Sequence, residues 1–282
     1  MLNKISIALL ATTVLSGCVL EDNDNNDNDI QLTLGDIKNG VAQVSIHVDD
    51  HENLQNADIK ISALMNMLNG MEHGTPISNA SGTLDENGDY TATAYFLMPS
   101  SMGGEKMGDW FLNVELNGET KAFPIEVLGM SGMQKLQGDE GDQISKMDGT
   151  SIDRSYYIFN REIKSMAASN TMNAMSSLEV YIAARETMMN YSAVMQDTTL
   201  NAGDNSELAI NSVSVSMCIA GCDTSTNWKA ATVSNEHEGV YKTEFMAEAT
   251  DGIHVKLLIN GIEKLKGDDG IATFNATAMM DM

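Results

Sequence analysis

The sequence predicts an all-β fold, two tandem β-sandwich domains carried behind a secretory leader and an acidic tether. Three observations carry this reading. From residue 30 onward apolar and polar residues alternate with period two between Gly, Asn and Asp breaks, the pattern of half-buried strands joined by hairpins. The second half of the chain repeats the order of strands and turns of the first. The opening residues, by contrast, have the form of a targeting signal and not of a fold element.

In chain order, a lone Lys4 precedes an apolar run from Ile5 to Leu15, and the small pair Ser16-Gly17 leads to Cys18. A cysteine directly after the small residues makes this the bacterial lipoprotein type of signal, not a plain signal peptide. The apolar run is also too short to span a bilayer as a stable helix. Residues 1–17 are therefore expected to be removed, and Cys18 to be lipidated as the mature N-terminus. That anchors the protein to the bacterial cell envelope, facing the periplasm or exposed on the outer membrane. Val19, not Asp, follows the cysteine, which by resemblance to enteric sorting points to the outer membrane.

Residues 18–29 are an acidic Asp/Asn tether with too little apolar surface to bury, expected to be disordered. The alternation resembles a calcium loop, but the glycine and the closing glutamate of that motif are missing. The first sandwich is placed at 30–128. Val44, Ile46 and Val48 alternate with polar neighbours, as do Ile59, Ile61 and Ala63. A turn at Asp85–Asp89 launches a strand from Tyr90 to Met98, and Trp110, Leu112, Val114 and Leu116 form another, ended by Asn117-Gly118; a last strand runs from Phe123 to Val127. The glycine-rich, acidic stretch 129–150 reads as an interdomain linker. Strands resume at Tyr156–Phe159 and Leu178–Ile182 in the second sandwich, 151–282, with a long loop expected over Met166–Ser177.

The repeat is explicit. Residues 212–217 match 58–63, residues 236–245 match 84–93, and residues 251–261 match 108–118, with a Gly-x-Tyr step in each half (Gly88-Asp89-Tyr90, Gly239-Val240-Tyr241) and a strand closing on Asn-Gly. Duplication of a short-strand unit implies two sandwiches.

Composition narrows the function. Forty acidic residues against sixteen basic ones give a net charge of −24. Nucleic acid is excluded as a partner, because its binding rests on Lys and Arg neutralising phosphates, and so is a surface that lies on anionic lipid. Such a charge suits a solvated protein in a salty habitat, or a field that concentrates cations. Beyond Cys18 only Cys218 and Cys222 remain. In an oxidising compartment they form a small disulfide clamping a tight turn, or alternatively a soft-metal or redox site. Methionine is the anomaly, with 21 residues against 6 Phe and 2 Trp.

Several short motifs of the first half sit in a familiar order. Asn69-Gly70-Met71-Glu72-His73-Gly74 is followed by Gly88-Asp89-Tyr90, by Met98-Pro99, and by Gly108-Asp109-Trp110. This order resembles the FixH/YtkA-like family of periplasmic immunoglobulin-like domains, over roughly residues 40–127. The resemblance implies an immunoglobulin-like sandwich and makes copper handling or cytochrome oxidase assembly worth testing. The second half keeps Gly239-Val240-Tyr241 but has Ile253 in place of the tryptophan and no Met-x-His, so a metal role is not carried over to it.

The candidate metal ligands form two segments: Met65, Met67, Met71 and His73, then Met98, Met102 and Met107. Thioethers are soft, neutral ligands suited to copper(I), and imidazole accepts either copper oxidation state. Both segments lie at strand ends, so a sandwich can gather them at one pole. The competing reading is that methionine fills the core or forms a soft binding surface; it applies most strongly to Met65 and Met67, which continue the inward face of Ile59, Ile61 and Ala63. His47 and His51 are a weaker zinc candidate on an outward strand end. His237 and His254 read as structural or surface residues. No phosphate loop, His-Glu-x-x-His or Gly-x-Ser-x-Gly motif is present, and the chain reads as a binder, not an enzyme. The expectation is a lipoprotein that binds or passes copper through its first domain, with a metal-free structural or interaction module of the envelope as the alternative.

Overall fold

The structure, a computed structural model, describes residues 18–20, 30–37, 40–49, 57–128, 132–139, 141–146, 148–166, 175–187, 189–202, 207–245, 252–266 and 270–274. The leader 1–17 and residues 21–29 of the tether lie outside the described residues. Cys18–Leu20, expected as the start of a disordered tether, is instead a short strand paired antiparallel with Ile30–Leu34, whose edge supplies its backbone hydrogen-bond partners.

The chain is all β, as the alternation requires. Among the described residues the only helical element is a 3-10 turn at Ser225–Asn227. In the N-terminal half, one sheet orders Cys18–Leu20, Ile30–Leu34, Val41–Val48, Asp89–Tyr95 and Ile77–Ser78. The other orders Glu119–Ile125, Gly108–Leu116, Asp58–Met67 and Glu72–Gly74, with Ser81–Thr83 also on Asp58–Met67. Both turn their apolar faces to one core, in which Val44, Ile46, Ile59, Ile61, Trp110, Leu112 and Val114 are buried. Val41–Val48 alternates buried and more exposed residues along its length, so its period two is the signature of a strand with one face on a core. Phe96 packs edge-on against Trp110 at 5.2 Å between ring centroids. Trp110 Nε1 donates to the Met98 carbonyl at 3.1 Å, which satisfies the one polar atom of a buried indole.

The C-terminal half repeats this frame. Met133–Gln137, Ser155–Met166, Met175–Arg185, Val240–Phe245 and Thr232–Val233 form one sheet, and Lys229–Ala230, Val213–Cys218, Ile253–Ile259 and Ile262–Glu263 the other. The internal duplication extends to register. Ile59 lies opposite Leu116 and Ala63 opposite Leu112, while Val213 lies opposite Ile259 and Met217 opposite Val255. These are the positions that the sequence match makes equivalent. A one-residue slip would send every core side chain to solvent, so both copies keep one register because both bury the same face.

Four boundaries differ from the sequence-based expectation. The strand after the Asp85–Asp89 turn ends at Tyr95, before Met98, and the last strand of the first half spans Glu119–Ile125 instead of starting at Phe123. The strands expected at 156–159 and 178–182 extend to Ser155–Met166 and Met175–Arg185, leaving residues 167–174 of the expected loop outside the described residues. The fourth difference is the stretch 129–150. Met133–Gln137 pairs with Ser155–Phe159, Gln143–Ser145 pairs with Ser151–Asp153, and Leu136, Asp142 and Ile144 are buried. Among its described residues, Gly138, Gly141 and Gly149 stand between short strands of the C-terminal half, and the stretch supplies buried contacts that a linker would lack.

The halves touch. Tyr95 stacks on Tyr181 with centroids 3.8 Å apart and lies 5.2 Å from Phe159, in a cluster shared with Tyr157, Ala183 and Val240. Cys218 and Cys222 are disulfide-bonded, with Cα atoms 5.8 Å apart.

Candidate functional site

The two methionine segments meet at one end of the N-terminal half, through backbone pairing. Asp58–Met67 reverses through a turn carrying Gly70 at φ +78° and returns as Glu72–Gly74. Met65 therefore faces His73 in register, and Met67 N donates to the Met71 carbonyl at 2.9 Å. Residues directly opposite in an antiparallel pair share a face, so Met65 and His73 are set on one side of this sheet with Met67 two residues on, and Met71 lies in the turn beyond them. On the other flank Met65 faces Trp110 and Met67 faces Gly108. Gly108 is required there, because a Cβ would sit 2.4 Å from the Asn66 carbonyl oxygen.

The second segment arrives beside the first. Ser101–Met102 and Glu105–Lys106 form a hairpin closed by Met107 N donating to the Ser100 carbonyl at 2.8 Å, and Leu68 N donates to the Met107 carbonyl at 3.3 Å. The turn that carries Met71 is thereby laid against the hairpin that carries Met102.

Burial separates the seven residues into groups. Met65 is fully buried in the core, as expected for a continuation of the Ile59 face. Met67, Met98 and Met107 are half-buried and pack on that core. Met71 and Met102 are exposed at 49% and 64%, as is Leu68 at 71%. His73 is half-buried, and burial, then the positive charge of Arg185, hold its pKa below the ordinary histidine value. Its imidazole thus stays neutral, the form that ligates metals, to lower pH than a free histidine. Arg185 belongs to the C-terminal half, which closes over this edge: a Cβ on Gly74 would meet the Met189 carbonyl oxygen at 2.0 Å. That approach was invisible to sequence reasoning; its one trace is the glycine directly after His73.

The other candidates are elsewhere. His47 lies between Asp89 at 2.7 Å and Asp49 at 3.5 Å, and the hydrogen bond to Asp89 raises its pKa; His51 lies outside the described residues. His254 Nδ1 is 3.1 Å from Thr273 Oγ1. Among the described residues no three His, Cys, Asp or Glu side chains gather as a metal site, so any soft-metal site at the pole rests on thioethers with one imidazole.

Sequence reasoning missed a buried charge cluster in the C-terminal half. Asp142 accepts from Arg154 Nε at 2.8 Å, from Lys264 Nζ at 2.8 Å and from the Tyr156 hydroxyl. Burial and the Asp142 charge push the Tyr156 phenol far above its ordinary range. Arg154 Nη1 donates onward to the carbonyls of Arg185 and Asn201, each at 2.8 Å.

No known protein-family model matches the chain, and no curated protein matches it.

Proposed function

We propose that this is an envelope-anchored lipoprotein, held by lipid on Cys18, that binds or passes copper through the methionine- and histidine-bearing pole of its N-terminal half. The observation that carries the reading is the apposition of the two segments: the Met67–Met71 turn, with His73, laid against the Met102–Met107 hairpin by the Leu68–Met107 hydrogen bond. Met71, Met102 and Met107 with the neutral His73 form a soft donor set, while Met65 and Met98 serve as packing beneath it. The resemblance to FixH/YtkA-like domains supports the same reading for this half alone. An acidic surface adds a field that draws cations in.

The test is copper(I) titration of the soluble protein lacking residues 1–17 and carrying Cys18→Ser, against a competing chelator. Replacing Met71, His73, Met102 and Met107 together is expected to weaken binding by well over tenfold, more than about 1.4 kcal/mol, with the fold retained. Unchanged affinity in that variant overturns the reading. A metal-free interaction module is the second reading, and it is favoured by the exposure of Leu68, Met71, Met102 and Leu128 on segments whose backbones are joined by the Leu68–Met107 and Ser100–Val127 hydrogen bonds, since neighbouring apolar residues left in solvent mark contact surfaces.

A further inference from the structure

Beside the aromatic layer that joins the halves lies a cavity of about 280 Å³. The N-terminal half lines it with Gln43, Asn79, Thr91 and Thr93, and the C-terminal half with Arg161 and His237. Gln43 and Thr93 are register partners on the polar face of a sheet whose other face carries Val44 and Ala92 into the core. No acidic residue lines the cavity among the described residues, in a chain with 40 Asp and Glu against 16 Lys and Arg.

Each of the two cationic or cation-forming lining residues also carries a buried, unanswered nitrogen. Arg161 Nη1 and His237 Nδ1 are each shielded from solvent without a hydrogen-bond partner. A buried donor left unmatched is costly, and more so on a guanidinium that never loses its charge. The backbone positions both. The Ser155–Met166 and Met175–Arg185 strands lose register between Asn160 and Glu162, leaving Arg161 as the extra residue of a bulge, a device that re-aims a side chain. His237 lies in the turn before Gly239, whose φ is +70° and where a Cβ would stand 2.8 Å from Ala193 Cβ and 3.0 Å from the Ile182 oxygen. Glycine lets that turn settle on the strand beneath.

We propose that this cavity is a binding site for a small anion, a carboxylate or an inorganic oxyanion, held between the Arg161 guanidinium and the His237 imidazole. The guanidinium fork matches planar and tetrahedral oxyanions, and Thr91, Thr93, Asn79 and Gln43 supply neutral donors around it. Both halves contribute, so occupancy ties them together. The site is separate from the methionine pole and does not depend on the copper reading.

The test is calorimetric titration of the soluble protein lacking residues 1–17 and carrying Cys18→Ser with acetate, succinate and inorganic phosphate, ionic strength held constant with sodium chloride. At least one is expected to bind saturably, one per chain, and the arm that does so separates carboxylate from phosphate recognition. Arg161→Gln and His237→Gln are each expected to weaken it at least about tenfold, with Arg161→Lys recovering part of the loss and copper(I) affinity unchanged. Thr91→Val, on an exposed position, is expected to weaken binding a few-fold whether or not the Arg161 variants fold. Absence of saturable binding by all three probes, or affinity unmoved by His237→Gln and Thr91→Val, overturns the proposal.

Discussion

The two halves share a strand frame and a register but stabilise it differently. The N-terminal core runs from Ile30 to Val127 and includes Trp110, and among the described residues of that half no charged side chain is buried. The C-terminal half adds to a comparable apolar core the buried Asp142–Arg154–Lys264 cluster, whose charged groups are 2% exposed or less. That cluster joins residues far apart in sequence: Asp142 and Lys264 are 122 residues apart. It pins the 133–145 strands, at the start of the C-terminal half, to the end of the hairpin formed by Ile253–Ile259 and Ile262–Glu263. Removing water from such a pair offsets much of its attraction, so its net worth against an apolar packing is small, while stripping one partner is expensive. A duplicated frame can thus be extended by apolar packing alone or by an ionic pin, and the second makes the extension more vulnerable to a single change.

The largest expected effect breaks that pin. Asp142→Ala leaves Arg154 and Lys264 buried and unpaired, and is expected to cost on the order of 3–5 kcal/mol in denaturant unfolding. A loss under about 1 kcal/mol would mean that the cluster is hydrated and the halves are not different in this respect.

Next comes a contrast inside the N-terminal half. Met65→Ala opens the core and is expected to cost roughly 2–4 kcal/mol, whereas the exposed Met71→Ala should stay within about 0.5 kcal/mol and act on copper(I) affinity instead. Equal stability losses would place both in the core.

Reducing the Cys218–Cys222 bond, which closes a very short loop and has no counterpart in the first half, should lower stability by about 2 kcal/mol on chain-entropy grounds. The same unfolding experiment with and without reductant measures it. The Tyr95–Tyr181 stack sharpens the comparison from the other side, because it belongs to both halves. A double-mutant cycle with Leu at each position is expected to give a coupling of roughly 0.5–1.5 kcal/mol, and no coupling would leave the halves mechanically independent.

The smallest effect distinguishes two histidines by sign. The His47 pKa is raised in the fold, so its contribution is fully present below about pH 6.5, the unfolded value, and fades as pH rises through the folded value. The His73 pKa is lowered, so the unfolded chain takes up that proton first and stability declines as pH falls below about 6.5. His47→Gln and His73→Gln should therefore tilt the pH–stability profile in opposite directions. His47 is 41% exposed, so solvent screening keeps its share to a few tenths of a kcal/mol, as for other surface pairs. Copper(I) binding at the pole should likewise resist acid to a lower pH than an ordinary histidine would allow.

Strands, turns and the repeat were readable because they are local or periodic. Alternation names the buried face of Asp58–Met67 without any knowledge of its partner, and the Gly-x-Tyr steps mark where strands begin. The stretch 129–150 misled because its glycines and acids were weighed by composition, whereas Leu136 and Ile144 count by burial. At the pole, the strand-end placement of Met71 and Met102 was readable, and the split between core Met65 and exposed Met71 followed from the continuing Ile59–Ile61–Ala63 face.

Sequence by itself determined the all-β class, the duplicated frame and the inward face of each repeated strand, because side-chain direction in a strand is set by period two alone. Only the tertiary structure decided which polar groups meet: Asp142 with Lys264, Arg185 near His73, Arg161 with His237 across from Thr91 and Thr93. Those meetings depend on how sheets stack and where a bulge or a glycine allows close approach, and residues more than a hundred positions apart carry no local pattern that records their contact.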